Sequence, residues 1–135
     1  MKELILKVEE RAAAGELKKH TKELGRRFVF VDKQNCPSGK LYTISRAVMD
    51  VSTPYEAAEP RTHSVDAVMM FMGFGERLEG LCAEVSLNGE SFVVNSPASV
   101  YVPAGVKHTY KLLKGSGTYT KIVLAPGGDY NAVTS

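Results

Sequence analysis

The stretch Ser99-Val100-Tyr101-Val102-Pro103-Ala104-Gly105-Val106-Lys107-His108 decides the reading of the fold. An extended run, Val100 to Val102, stops at Pro103, which has no N–H to give to a sheet ladder. Gly105 permits a tight turn. A second extended run, His108 to Leu113, then opens on a histidine.

The same rhythm extends outward in both directions. Phe28–Val31, Leu41–Ile44, Ala47–Val51, Val65–Met72, Leu81–Leu87, Glu90–Val94 and Thr118–Leu124 read as further short strands. Pro37-Ser38-Gly39, Ser52-Thr53-Pro54 and Gly115-Ser116-Gly117 supply turns between them. Asn88-Gly89 is the strongest short hairpin signal in the chain. Many short strands with regular turns predict an all-β antiparallel sandwich or barrel.

Residues 2–27 differ in composition. They are rich in Glu, Lys, Ala, Leu and Arg, which favour helix. Leu17, His20, Thr21 and Leu24 recur at helical spacing, with Gly25 as a C-terminal cap. The expected organisation is a helical arm over 1–27, a barrel domain over 28–126 and a loosely held tail over 127–135.

The chain has 135 residues, enough for one domain with its own core. With 44% hydrophobic and 24% charged residues it is not a disordered chain. Seventeen basic against 15 acidic residues leave +2, which makes no case for nucleic acid or an anionic membrane as partner. The longest apolar run, Ala67 to Gly75, is too short to span a bilayer, and the N-terminus has no signal-peptide pattern. Cys36 and Cys82 match no metal spacing, so free thiols in a cytoplasmic protein are expected.

Pro103, Gly105 and His108 resemble the second motif of the cupins, Pro-x-Gly-x-x-His. Arg61-Thr62-His63-Ser64-Val65-Asp66, followed by Val68 to Gly73, resembles a degraded first cupin motif, His-x-His, three or four residues, Glu, six residues, Gly. The resemblance covers about residues 40–126. It implies a double-stranded β-helix, a jelly-roll barrel with its site inside, and a homodimer. It also implies a divalent metal, Fe, Mn, Ni or Zn, held by three His and one Glu. Only His63 and His108 stand at histidine positions here.

Arg61 stands where the first histidine would be. A guanidinium has no lone pair and keeps its charge, so inside a barrel it would oppose a divalent ion and favour a carboxylate or phosphate. Facing outward, it would instead pair with Glu59 or Asp66. The carboxylate position falls on Asp66 when counted back from Gly73, and on Ala67 when counted forward from His63. An undisturbed strand favours Ala67, with Met69 and Phe71 inside and Asp66 on the rim. Met69, Met70, Phe71, Met72 and Phe74 form a soft apolar stretch, suited to core packing or to an adaptable ligand wall. Tyr101 and Tyr110 flank the second motif and are candidate hydrogen-bond donors. No phosphate loop or nucleophile elbow is present.

Three functions remain open. The first is a cupin that binds a small polar or anionic ligand through Arg61, His63, His108 and Tyr110. The second is a metal-dependent dioxygenase or isomerase that uses His63, His108 and Asp66. The third is a structural or regulatory dimer module with a filled barrel.

Overall fold

The computed structural model describes residues 1–13, 16–18, 25–54 and 59–135. Among the described residues eight strands follow one another: β1 (Glu9–Glu10), β2 (Arg26–Val31), β3 (Tyr42–Val51), β4 (Ala67–Gly73), β5 (Leu81–Leu87), β6 (Glu90–Asn95), β7 (Ala98–Val102) and β8 (His108–Val123). All pairings are antiparallel. The main path runs β1-β2-β3-β8-β4-β7, and β5 joins β6 to β8. Among the described residues no helix is long and apolar enough to cross a membrane.

β8 is the hinge of the architecture. Its first half pairs with β5, from His108 opposite Leu87 to Gly115 opposite Leu81. Its second half runs between β3 and β4, with Thr120 opposite both Ser45 and Met70. A straight strand would hold Tyr110 and Tyr119 roughly 30 Å apart. Their rings instead stack at 3.9 Å, so the strand folds over at Gly115-Ser116-Gly117. Only glycine suits this bend, because a Cβ on Gly115 would lie 1.9 Å from the Gly80 carbonyl oxygen and φ there is 104°. The expected turn between two strands is therefore a bend within one. Leu41–Ile44 and Ala47–Val51 likewise merge into β3.

The core gathers the inward residues of both halves. β4 buries Ala67, Met69 and Phe71 and leaves Val68, Met70 and Met72 half-buried, the alternation of a strand with one face inside. Phe74 lies outside that face and is exposed. The Asn88-Gly89 hairpin forms between β5 and β6 with both residues at positive φ.

The described part of the N-terminal segment is not a helical arm. Lys2–Leu4 is a single 3-10 turn, and Glu9 and Glu10 pair with Val29 and Phe28 on the edge of the sheet. Arg26 and Arg27, placed in the arm by composition, belong to β2. The open backbone edge of β2 outweighs the weak helix propensity of a short segment. The helix expected around Leu17 includes His20, Thr21 and Leu24, which lie outside the described residues. The tail is not loose. Tyr130 and Thr134 are buried, and Thr62 and Ser135 exchange backbone hydrogen bonds of 2.9 Å in each direction.

Candidate functional site

Period-two alternation brings cations inside. In β3 the buried positions are Tyr42, Ile44, Arg46 and Val48. In the second half of β8 Tyr119, Lys121 and Val123 share the inward face, and in β2 Arg27 and Val29 do so. Arg61 is drawn in by a backbone bridge, its N–H donating to His108 O at 3.0 Å and its oxygen accepting from His108 N–H at 2.8 Å. Arg27, Arg46, Arg61 and Lys121 are each no more than 2% exposed. Arg27 and Arg46 stand directly opposite on neighbouring strands, a like-charge pairing that is unfavourable by itself.

These four basic side chains line a cavity of about 10 Å³, room for about one water molecule. Its remaining walls among the described residues are Ile44 and four tyrosines, Tyr42, Tyr110, Tyr119 and Tyr130. Arg46 hydrogen-bonds the Tyr110 hydroxyl. Arg61 Nη1 donates to the Glu59 carbonyl at 3.5 Å, and its Nε has no hydrogen-bond partner among the described residues. The Tyr119 hydroxyl is also buried without one. Burial pushes the Tyr42 phenol up to about 12 and the Tyr119 phenol well above its ordinary value, so both stay protonated at neutral pH.

His63 and His108 come together beside this cluster, with ring centroids 4.8 Å apart. Thr134 Oγ1 donates to the Tyr130 carbonyl at 2.6 Å, so it accepts from His63 Nδ1–H at 3.0 Å. His108 Nδ1–H donates to the Val106 carbonyl at 2.9 Å, which leaves Nε2 as an acceptor. Lys121 Nζ donates to that nitrogen at 2.7 Å. Burial, with Lys121 and Arg61 close by, pushes the His108 pKa down to about 3. Burial, and then Arg61, also hold the Lys121 amine well below the usual lysine value.

The carboxylate is not in the cluster. Asp66 lies on the rim, where its Oδ2 accepts from the Tyr101 hydroxyl and its Oδ1 accepts from Ala104 N–H at 2.8 Å. These donors hold its carboxyl below the ordinary aspartate range. Tyr101 is 59% exposed and faces away from the interior, unlike Tyr110. Ala67 takes the inward position, because β4 keeps its register through Val102 and Val123. The residues present do not fit the metal the resemblance implies. A guanidinium stands at one ligand position, Lys121 occupies the ring nitrogen His108 would offer, and Asp66 is turned outward. Among the described residues no group of three His, Cys, Asp or Glu could hold an ion.

Sequence reasoning placed Arg61, His63, His108 and Tyr110 at this site and missed Arg27, Arg46, Lys121, Tyr42, Tyr119 and Tyr130. A signal for three of them was present: Arg27, Arg46 and Lys121 stand in phase with the apolar inward residues of their own strands.

No protein-family profile matches the chain, and no curated protein matches its sequence significantly. Solved structures do match its fold. Oxalate decarboxylase from Bacillus subtilis aligns with a TM-score of 0.58 at 16% identity, over 93% of this chain and 31% of that one. The chain therefore spans about a third of that enzyme's length. A protein from Planctomyces limnophilus aligns with a TM-score of 0.55 at 16% identity, over 93% of this chain and 95% of that one. SPY1581 from Streptococcus pyogenes, a protein of unknown function, aligns with a TM-score of 0.50 at 15% identity, over 74% and 73%. At such identities the likeness is one of fold alone. Together with the folded-over β8 and the convergence of His63 with His108, it establishes that this chain has the cupin fold.

Proposed function

We propose that the protein binds a small anion inside its barrel, at Arg61, His63, His108 and Tyr110 together with Arg46, Lys121 and Tyr119. One observation carries this reading: Arg61 Nε and the Tyr119 hydroxyl line the same inner cavity, buried and without a hydrogen-bond partner among the described residues. A buried guanidinium whose donors are not all met costs several kcal/mol, and arginine cannot escape that cost by losing its proton. An anion would offset it and would give Arg61 Nε and the Tyr119 hydroxyl an acceptor. The small size of the cavity restricts the ligand to a few heavy atoms, or requires the tyrosine wall to move as it enters.

Thermal unfolding at matched ionic strength tests this. Acetate, oxalate and sulfate should raise the melting temperature, whereas neutral acetamide should not. An anion at 100 times its Kd adds about 2.7 kcal/mol. Arg61→Gln should abolish the shift. No response to any anion, or an equal response to acetamide, would overturn the reading.

The same narrow cavity favours a second reading, a filled barrel that serves as a dimer module. β6 is an edge strand with Phe92 and Val93 exposed, and a second copy could pair with it. That reading requires no anion effect and a dimer in light scattering that Val93→Lys disrupts.

A further inference from the structure

β8 brings two of its own side chains into contact because it folds over at Gly115-Ser116-Gly117. His108 opens the strand and Lys121 follows 13 positions later, yet Lys121 Nζ lies 2.7 Å from His108 Nε2. Tyr119 stands two residues before Lys121 and shares its inward face. Arg61 is held beside them by its backbone bridge to His108. Arg61, Tyr119 and Lys121 thus line one inner cavity, and His108 backs the amine.

The bond between Lys121 and His108 runs in one direction. His108 Nδ1–H is used on the Val106 carbonyl, so Nε2 accepts and Lys121 donates. With one N–H on the imidazole, the lone pair of the neutral amine points away from the ring. Burial, and then Arg61, disfavour the ammonium form. A desolvated amine next to another cationic group is the kind that attacks a carbonyl carbon. In the same cavity Arg61 Nε and the Tyr119 hydroxyl are buried donors without an acceptor among the described residues. A nucleophilic nitrogen beside two unmet donors is the complement of a carbonyl group next to a carboxylate.

Resting on the anion-binding reading above, we infer that the anion is a small 2-oxo acid and that Lys121 forms an imine with its carbonyl carbon. Arg61 Nε donates to the carboxylate, and the Tyr119 hydroxyl donates to the carbonyl oxygen and polarises it. The Lys121 lone pair makes the new C–N bond while the C=O electron pair moves onto oxygen. The C–O bond then breaks and the oxygen leaves as water. Both amine protons depart in that water. His108 Nε2 takes each from nitrogen and gives it up again, so the imidazole ends as it began and no oxidant or reductant is consumed.

Trapping with borohydride tests the inference, because hydride reduces an imine to a stable secondary amine. The wild type is incubated with pyruvate or glyoxylate, and in parallel with their neutral counterparts acetone and acetaldehyde. Intact mass and peptide mapping then give the extent and position of labelling. Lys121 is only 2% exposed, whereas Lys107 and Lys114 are exposed and serve as internal references for unassisted reaction. One oxo-acid adduct per chain should map to Lys121, at least tenfold above either reference lysine. The neutral counterparts should label Lys121 at least tenfold less, and excess acetate should suppress the adduct. Lys121→Met should remove it, and His108→Gln should slow its formation roughly hundredfold. If Lys121→Met does not fold, the peptide map of the wild type still decides. Labelling confined to the exposed lysines, or equal labelling of Lys121 by acetone and pyruvate, would overturn the inference. Stabilisation by acetate without any Lys121 adduct would do the same and leave the anion site standing. No adduct at Lys121 and no stabilisation by any anion would remove both.

Discussion

His108 makes the protein sensitive to acid in a way that can be worked out beforehand. Its ring is buried between Lys121 and the Val106 carbonyl, and its pKa is pushed down from 6.5 to about 3. The unfolded chain therefore takes up a proton near pH 6.5 that the folded chain refuses until about pH 3. The unfolded state binds more protons between those values, so stability falls as pH drops through that window and is flat with respect to His108 above it. Between pH 7 and pH 4 the loss is about 3 kcal/mol, a large share of the 5–15 kcal/mol that holds a typical domain together. Exposed carboxylates with lowered pKa, such as Asp66, add to acid sensitivity in the same direction, so the measurement must isolate the histidine. Urea denaturation at pH 7 and pH 4 should be compared between the wild type and His108→Gln. The variant loses hydrogen bonds at both pH values, and that cost cancels in the double difference. The wild type should lose about 3 kcal/mol more than the variant on acidification. An equal loss in both proteins would mean that His108 accepts its proton in the folded state, and the arrangement of Lys121 on Nε2 would be wrong.

Two further outcomes follow from the same geometry. Arg61→His should leave Ni or Zn binding weak, because Lys121 still covers His108 Nε2 and Asp66 stays on the rim; Arg61→His combined with Lys121→Gln should bind clearly more tightly by calorimetry, and tight binding by the single variant would refute this account. Gly115→Ala should cost upwards of about 3 kcal/mol in urea denaturation, since its Cβ meets the Gly80 carbonyl at 1.9 Å, whereas Gly105→Ala, at positive φ but with open space around it, should cost about 1 kcal/mol.

The strands were legible because an antiparallel sheet with one buried face writes itself as alternation. β5 runs Leu81–Leu87 as its composition suggested, and Asn88-Gly89 fixes the register of its hairpin. Pro103, Gly105 and His108 marked where a strand stops, turns and resumes. The described part of the arm was misread because helix propensity is a local quantity, while the pairing of Glu9 and Glu10 with β2 is set by an edge that forms only once the sheet exists. The tail was misread for a related reason: nothing local indicates that Tyr130 and Thr134 will close over His63.

The interior chemistry was only half legible, and the cause lies in how hydrophobic patterns are counted. A lysine or arginine is normally scored as an outward position, so Arg46 read as a break between two strands and Lys121 as an outward residue of its strand, while Arg27 was left in the arm. Keeping strict phase instead of residue type puts Arg46 between Ile44 and Val48, and Lys121 between Tyr119 and Val123, all on the buried face. The same strictness settles Asp66. Ala67, Met69 and Phe71 are inside, so a carboxylate one residue earlier must be outside unless the strand slips, and its pairing with β7 and β8 does not slip. A sheet can afford a cation on its inner face only where something offsets the charge. Glu16 does so for Arg27 from the solvent side. Around Arg46, Arg61 and Lys121 the described lining residues are Ile44 and tyrosines, beside Arg27. Inward phase is therefore what separates a buried basic residue from a surface cation in this chain, and it is a property of strand register, visible only when the strands are read together.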